Sequence, residues 1–275
     1  MRLKKVAKIF SVILLIGIAS FSFYQYFTIK NDGKNEVSKT AQLVKDVVEE
    51  GEVIGDSPNP EDTEASTSSD NSDSQISKTS KNLKTLKEKN LLLSNKVLDK
   101  LNEEYNTTAI SAYLDLGEGS IQEIVAHDTT GNYYDRKNIH GEYDIKGTVF
   151  LFYKNESYLD KYLNLFGHGL KNGVRFGLLP ISQPEEINHA TLYTREGLFE
   201  YELVFLSDIP AIHYSKLPTW TEEGVIEFIS RSHKFGNVVY EIENNYEDGD
   251  YMLLSTCLLT GRSNRRIAIY KKMEY

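Results

Sequence analysis

One cysteine in 275 residues is the most consequential shortage in this chain. It excludes an intrachain disulfide, and with it structural stapling as the thiol's reason for being present. With no second cysteine and no His-x3-His pair, the sequence also lacks a recognisable zinc ligand set, so no metal and no cofactor is expected. Positive charge is short as well. The net charge of −9 argues against nucleic acid as a partner, because binding phosphate requires a basic surface. No internal repeat is present. Between residues 31 and 82 there is no aromatic residue, and acidic residues outnumber basic ones. Such a stretch can bury little and reads as a disordered, acidic and Ser-rich tether over 30–82, with Val44 to Ile54 as its one candidate for a helical turn.

Long apolar runs are confined to the N-terminus. Arg2, Lys4, Lys5 and Lys8 precede Ile9 to Ile29, which carries no charge. That stretch is long enough to cross ~30 Å of hydrocarbon as a helix. The basic flank, residues 1–8, is expected to stay in the cytoplasm, which puts the rest of the chain outside. Small residues near Ala19 and Ser20 allow the alternative of a cleaved signal peptide. The apolar run continues past them, and this favours an uncleaved single-pass anchor at 9–29. A free thiol outside the cell is an oxidation liability, so keeping Cys257 there suggests that its chemistry is used.

What is plentiful is aromatic: 18 Tyr and 12 Phe, a composition that favours strands and an apolar cleft. The folded part is expected over 83–275. Leu86, Leu93, Val97, Leu101 and Tyr105 recur at helical spacing and predict an amphipathic packing helix. Short strands are predicted at Ala112–Leu116, Ile121–Ala126, Thr148–Tyr153, Tyr162–Phe166, Leu198–Leu206, Val238–Ile242, Tyr251–Thr256 and Arg266–Lys271, separated by Gly, Asn and Asp turns. After Pro218 and Thr219, the acidic Glu222 and Glu223 and the apolar Val225, Ile226, Phe228 and Ile229 predict a helix. Many short strands with two or three helices indicate a mainly β, barrel-like domain.

Cys257 closes Leu254-Ser255-Thr256-Cys257, and Arg266 follows in a strand-like Arg-Ile-Ala-Ile-Tyr run. Of the six histidines, His168 stands apart. It sits in Phe166-Gly167-His168-Gly169 at the end of an apolar run, where glycine on both sides permits close backbone approach or unusual dihedrals.

These residues resemble the sortases, membrane-anchored cysteine transpeptidases of Gram-positive bacteria, and within them class B. The resemblance covers roughly 83–275. It rests on Leu-Ser-Thr-Cys followed by Arg-Ile-x-Ile, on Phe-Gly-His upstream, and on the weaker blocks Asn132-Tyr133-Tyr134 and Lys146-Gly147-Thr148-Val149-Phe150-Leu151. Three departures stand out. Gly169 replaces a common Asn, Phe152 stands where an acidic residue is common, and the block usually written Thr-Leu-x-Thr-Cys begins with Leu253. The resemblance implies a closed β-barrel of about eight strands, with an N-terminal helix and a helix before the strand that ends in Cys257.

It also implies a mechanism. Cys257 would attack the threonine carbonyl of a sorting signal on a secreted surface protein, His168 would move protons, and Arg266 would hold the substrate backbone and offset oxyanion charge. A peptidoglycan-precursor amine would then take the acyl group. Arg265 is adjacent. Strand alternation puts the two arginines on opposite faces, and the Arg-Ile-x-Ile register favours Arg266. Rival readings are a pilin-polymerising enzyme of the same family, an inactive sortase-fold binding module, an L,D-transpeptidase and a papain-like hydrolase. No histidine lies between His233 and Cys257, against the L,D-transpeptidase pattern. Papain-like enzymes place cysteine before histidine, the reverse of the order here.

Overall fold

The computed structural model describes residues 16, 20, 24, 32–51, 73–127, 129–131, 133–170, 173–214, 222–242, 246, 249–257 and 264–274. Of the expected anchor at 9–29, only Ile16, Ser20 and Tyr24 fall among them. No helix of the described residues is long and apolar enough to cross a membrane. The other residues of the expected anchor lie outside the described ones, as do residues 52–72 and the helix-start signals Pro218 and Thr219.

Two helices open the described structure, and the first departs from the expected tether. Residues 32–51 form α1. Thr40, Val44 and Val47 lie on one stripe of it and are buried, as spacing of three and four residues dictates. The two valines join Val97, Leu98 and Leu101 of α2 (Asp73–Glu104) in one apolar cluster. Thr40 Oγ1 and the Tyr105 hydroxyl meet at 2.6 Å, and burial pushes that phenol up to about 12. Lys39 pairs with Glu104, and Lys96 with Glu50 at 2.9 Å. The predicted amphipathic helix is therefore real but longer than 83 onward, and it has a partner. Its stripe is buried at Val97 and Leu101, while Leu86 remains exposed.

The strands are β1 (Ile110–Asp115), β2 (Gln122–His127), β3 (Val149–Leu151), β4 (Tyr162–Phe166), β5 (His189–Thr194), β6 (Leu198–Pro210), β7 (Asn237–Glu241), β8 (Tyr251–Cys257) and β9 (Asn264–Lys272). Neighbours run β5-β1-β2-β3-β4-β8-β9-β6, and β6 pairs back with β5. Eight strands thus close a barrel, which removes its edges, and β7 extends the sheet from β6. The β2–β3 and β4–β8 pairings are parallel; the others are antiparallel. Strand β5 was not among the expected strands. Its hairpin to β6 is closed by Thr194 N–H donating to the Gly197 carbonyl at 2.9 Å.

Period-two alternation sorts the side chains. Leu163 and Leu165 of β4, Met252 and Leu254 of β8, and Ala268 and Tyr270 of β9 fill the barrel. Leu253, Ile267 and Ile269 face outward, where Val225, Phe228 and Ile229 of α4 (Glu222–Phe235) cover them. The short α3 (Ala211–Tyr214) follows β6.

The loop after β4 is fixed by a buried ion pair. Arg175 Nη1 donates to Glu123 Oε2 at 2.7 Å, Arg175 N–H also donates to that carboxylate, and Arg175 Nε donates to the Gly147 carbonyl at 2.9 Å. Burial pushes the Glu123 carboxyl up, and the guanidinium beside it opposes that shift. Arg175 holds a left-handed φ of 58°, a strained conformation for a residue with a Cβ that the fixed side chain offsets.

Candidate active site

Register brings the chemistry to one end of the barrel's outer face. Phe166 of β4 lies opposite Ser255 of β8, so the loop that continues β4 passes the end of β8, where Cys257 stands. On the other side, Cys257 lies opposite Arg265 of β9, and Thr256 opposite Arg266. Cys257, His168 and Arg265 together line a cavity of about 290 Å³, with Asp135, Thr148, Phe150, Phe166, Ala211 and Ser255 among its other walls. The thiol is partly exposed.

The structure separates the two arginines as alternation requires, but the opposite way round from the expected register. Arg266 shares the inward phase of Ala268 and Tyr270, and its residue is only 7% exposed. Its Nε and Nη2 donate to the two carboxylate oxygens of Asp208 at 2.6 and 2.8 Å, and Nη1 donates to the Leu179 carbonyl at 3.3 Å. A guanidinium committed to a bidentate pair inside the barrel end is not presented to the cavity. Arg265 shares the outward phase of Ile267 and lines the cavity with the thiol. The expectation that Arg266 faces the cleft and Arg265 turns away is therefore corrected.

Both glycines around His168 are steric requirements. At Gly167 a Cβ would lie 2.8 Å from the Phe176 ring. At Gly169 it would lie 2.2 Å from the Cys257 carbonyl oxygen and 3.0 Å from Thr256 Oγ1, far inside van der Waals contact. The histidine loop thus lies directly on the backbone of the cysteine strand, helped by Gly167 N–H donating to the Ser255 carbonyl at 3.2 Å. We expect Gly169→Ala, and equally Gly169→Asn, to push this loop off β8. The overpacking should cost about 1–3 kcal/mol. Thermal melts of the Ala variant check this; an unchanged midpoint would show that the loop does not need its close contact.

His168 has a further neighbour that the sequence did not announce. Its Nε2 lies 2.7 Å from the Asp135 main-chain oxygen and 3.3 Å from Asp135 Oδ1. The other histidines have partners elsewhere or lie at the surface. His127 meets the Asn155 carbonyl, His233 pairs with Glu241 at 3.1 Å, and His213 stacks on Phe235. Phe152, at a position expected to be acidic by resemblance, packs on Phe166, which in turn stacks on Phe150. Phe150 and Phe166, but not Phe152, line the cavity and give it an apolar wall. A larger cavity, about 800 Å³, lies between α1 and the β1–β2 turn, but neither the thiol nor a histidine lines it. Among the described residues no cluster of three or more His, Cys, Asp or Glu is arranged to hold a metal ion.

No protein-family model and no curated protein matches the chain. Solved structures do. A Staphylococcus aureus sortase B–substrate complex superposes with a TM-score of 0.52 at 18% identity, covering 71% of this chain and 98% of that one. Clostridium perfringens sortase B gives 0.52 at 18%, covering 64% and 100%. A Streptococcus pyogenes class B sortase involved in pilus biogenesis gives 0.50 at 23%, covering 60% and 93%. The fold is sortase-like, and its neighbours are class B sortases.

Proposed function

We propose that this protein is a sortase-type cysteine transpeptidase with Cys257 as nucleophile, His168 as proton carrier and Arg265 as the cleft arginine. The observation that carries this reading is the convergence of those three side chains, from β8, the loop after β4 and β9, on one partly open cavity. Thiols attack as thiolates, and a neighbouring imidazole is the group that takes the proton.

In the first half-reaction Cys257 Sγ bonds to the threonine carbonyl carbon of a C-terminal sorting signal. The peptide C–N bond breaks, and the departing amine receives a proton from His168. In the second, an amine of a peptidoglycan precursor attacks the thioester and passes its proton to His168. The C–S bond breaks and the thiolate returns. Each tetrahedral intermediate carries oxyanion charge, which the Arg265 guanidinium offsets while its donors orient the peptide backbone. The neighbouring sortase B structures include one with a substrate and one complexed with triglycine, in keeping with a two-substrate exchange. The apolar stretch 9–29 would tether the enzyme to the membrane, basic flank inward and barrel outside, near both substrates.

The test is mass spectrometry of the full chain, in detergent, with a library of sorting pentapeptides. The expected product is a thioester adduct on Cys257 that a primary amine releases as an amide. No adduct with any peptide, or an adduct on another residue, would overturn the reading.

A further inference from the structure

We propose that Asp135 is the positioning residue for His168, selecting its tautomer through the main chain and stabilising its protonated form through the carboxylate. The proposal rests on the transpeptidase reading of the cleft. It starts from the two contacts at Nε2: the Asp135 carbonyl oxygen at 2.7 Å and Asp135 Oδ1 at 3.3 Å. A carbonyl oxygen and a carboxylate oxygen only accept hydrogen bonds. The ring nitrogen between them must therefore be the donor, so Nε2 carries a proton in both charge states of the ring. Nδ1 is then the atom left to gain and lose a proton during catalysis. When Cys257 is activated, the proton moves from Sγ to Nδ1, leaving a thiolate and an imidazolium whose Nε2–H already points at a negative charge.

The carbonyl is held in place independently of the side chain. Asp135 belongs to the short 3-10 turn Tyr133–Arg136. On either side of it, Thr148 N–H donates to the Tyr134 carbonyl at 3.1 Å and Asp144 N–H donates to the Arg136 carbonyl at 3.0 Å. The turn is thus tied to the segment before β3, and its carbonyl stays aimed at the histidine whatever side chain residue 135 bears. The carboxylate is placed less tightly. It is 49% exposed, and Oδ2 lies 3.6 Å from Arg136 Nε. Solvent screening therefore limits what it adds. A third group that orients a catalytic base is the general logic of activated nucleophiles, and loss of a fully buried one costs about 10⁴ in rate. The half-exposed Asp135 is expected to matter far less, about tenfold.

The two roles separate in Asp135→Asn, which keeps the carbonyl and removes the charge. Three measurements on the full chain decide the matter. In long-range ¹H–¹⁵N spectra of the imidazoles, with His168 identified by its loss in His168→Gln, the wild type and Asp135→Asn should both show the Nε2–H tautomer. Alkylation of Cys257 by iodoacetamide near neutral pH, which needs no peptide, should slow about three- to tenfold in Asp135→Asn. Acylation by a sorting peptide should lose about tenfold in kcat with KM unchanged, and Asp135→Glu should recover part of the loss. A residue that merely shaped the cleft would raise KM and leave the alkylation rate alone. An Nδ1–H tautomer in the wild type, or alkylation and kcat unchanged in Asp135→Asn, would overturn the proposal. If no peptide acylates the wild type, the transpeptidase reading fails, while the tautomer and alkylation results still decide the role of Asp135.

Discussion

Replacing Cys257 with alanine should leave the barrel folded and abolish thioester formation. The two effects separate because of where the residue stands. Cys257 is the last residue of β8, partly exposed on the outer face, while the residues that fill the barrel at this end are Leu254 and Ala268. Losing one sulfur at such a position removes little apolar area from burial, so the change in stability should stay within about 1 kcal/mol. Chemistry has no fallback, since the sequence holds one cysteine and the cavity around it offers no second thiol. A hydrolytic or transfer activity that survived in Cys257→Ala at the wild-type rate would mean that the nucleophile is another group. The variant should give a melting curve close to wild type, no peptide adduct and no amide product.

The fold was largely readable because its signals are local. Tyr162–Phe166, predicted as a strand that delivers His168, is the observed β4, since an apolar run ending in Gly-His-Gly leaves few alternatives. The helix expected from Glu222 matches α4, with Val225 and Phe228 fully buried. Cys257 and His168, expected to serve one site, line the same cavity; a lone thiol and a glycine-flanked imidazole are both rare patterns. Three features were hidden for physical reasons. Helix α1 was legible only as the candidate helical turn from Val44; it sits in a stretch whose average composition is that of a solvated spacer, and averaging over the acidic and Ser-rich residues that follow erases the buried stripe of Thr40, Val44 and Val47. Asp135 meets His168 across 33 positions of sequence, and nothing local announces such a contact. The direction in which each arginine faces was misread on register. Alternation along one strand says that Arg265 and Arg266 face opposite sides, but which side is the cleft depends on pairing with β8. Ala268 and Tyr270, alternating with Ile267 and Ile269, are all apolar because both faces of β9 are covered, so the sequence carries no in/out signal there.

That ambiguity makes the arginine pair the sharpest remaining test, because the two residues should fail in different ways. Arg265→Lys keeps a positive charge in the cleft but loses the planar, multi-donor fork. Its expected effect is a fall in kcat of about ten- to a thousandfold, up to the scale of one oxyanion donor, with the melting temperature close to wild type. Arg266→Leu should do the reverse. It strands the Asp208 carboxylate, which is 19% exposed and now holds both oxygens on the guanidinium. Breaking a buried pair from one side costs about 3–5 kcal/mol, and the residual solvent at Asp208 reduces that to about 2–4 kcal/mol. Denaturant unfolding should show this loss as a lower midpoint with an unchanged slope. The double change Arg266→Leu with Asp208→Leu should recover much of it, because the uncompensated charge is gone. Activity per folded molecule should fall far less in these Arg266 variants than in Arg265→Lys. If Arg266→Leu instead keeps its stability and loses kcat, the ion pair does not hold in solution, and Arg266, not Arg265, serves the thiol.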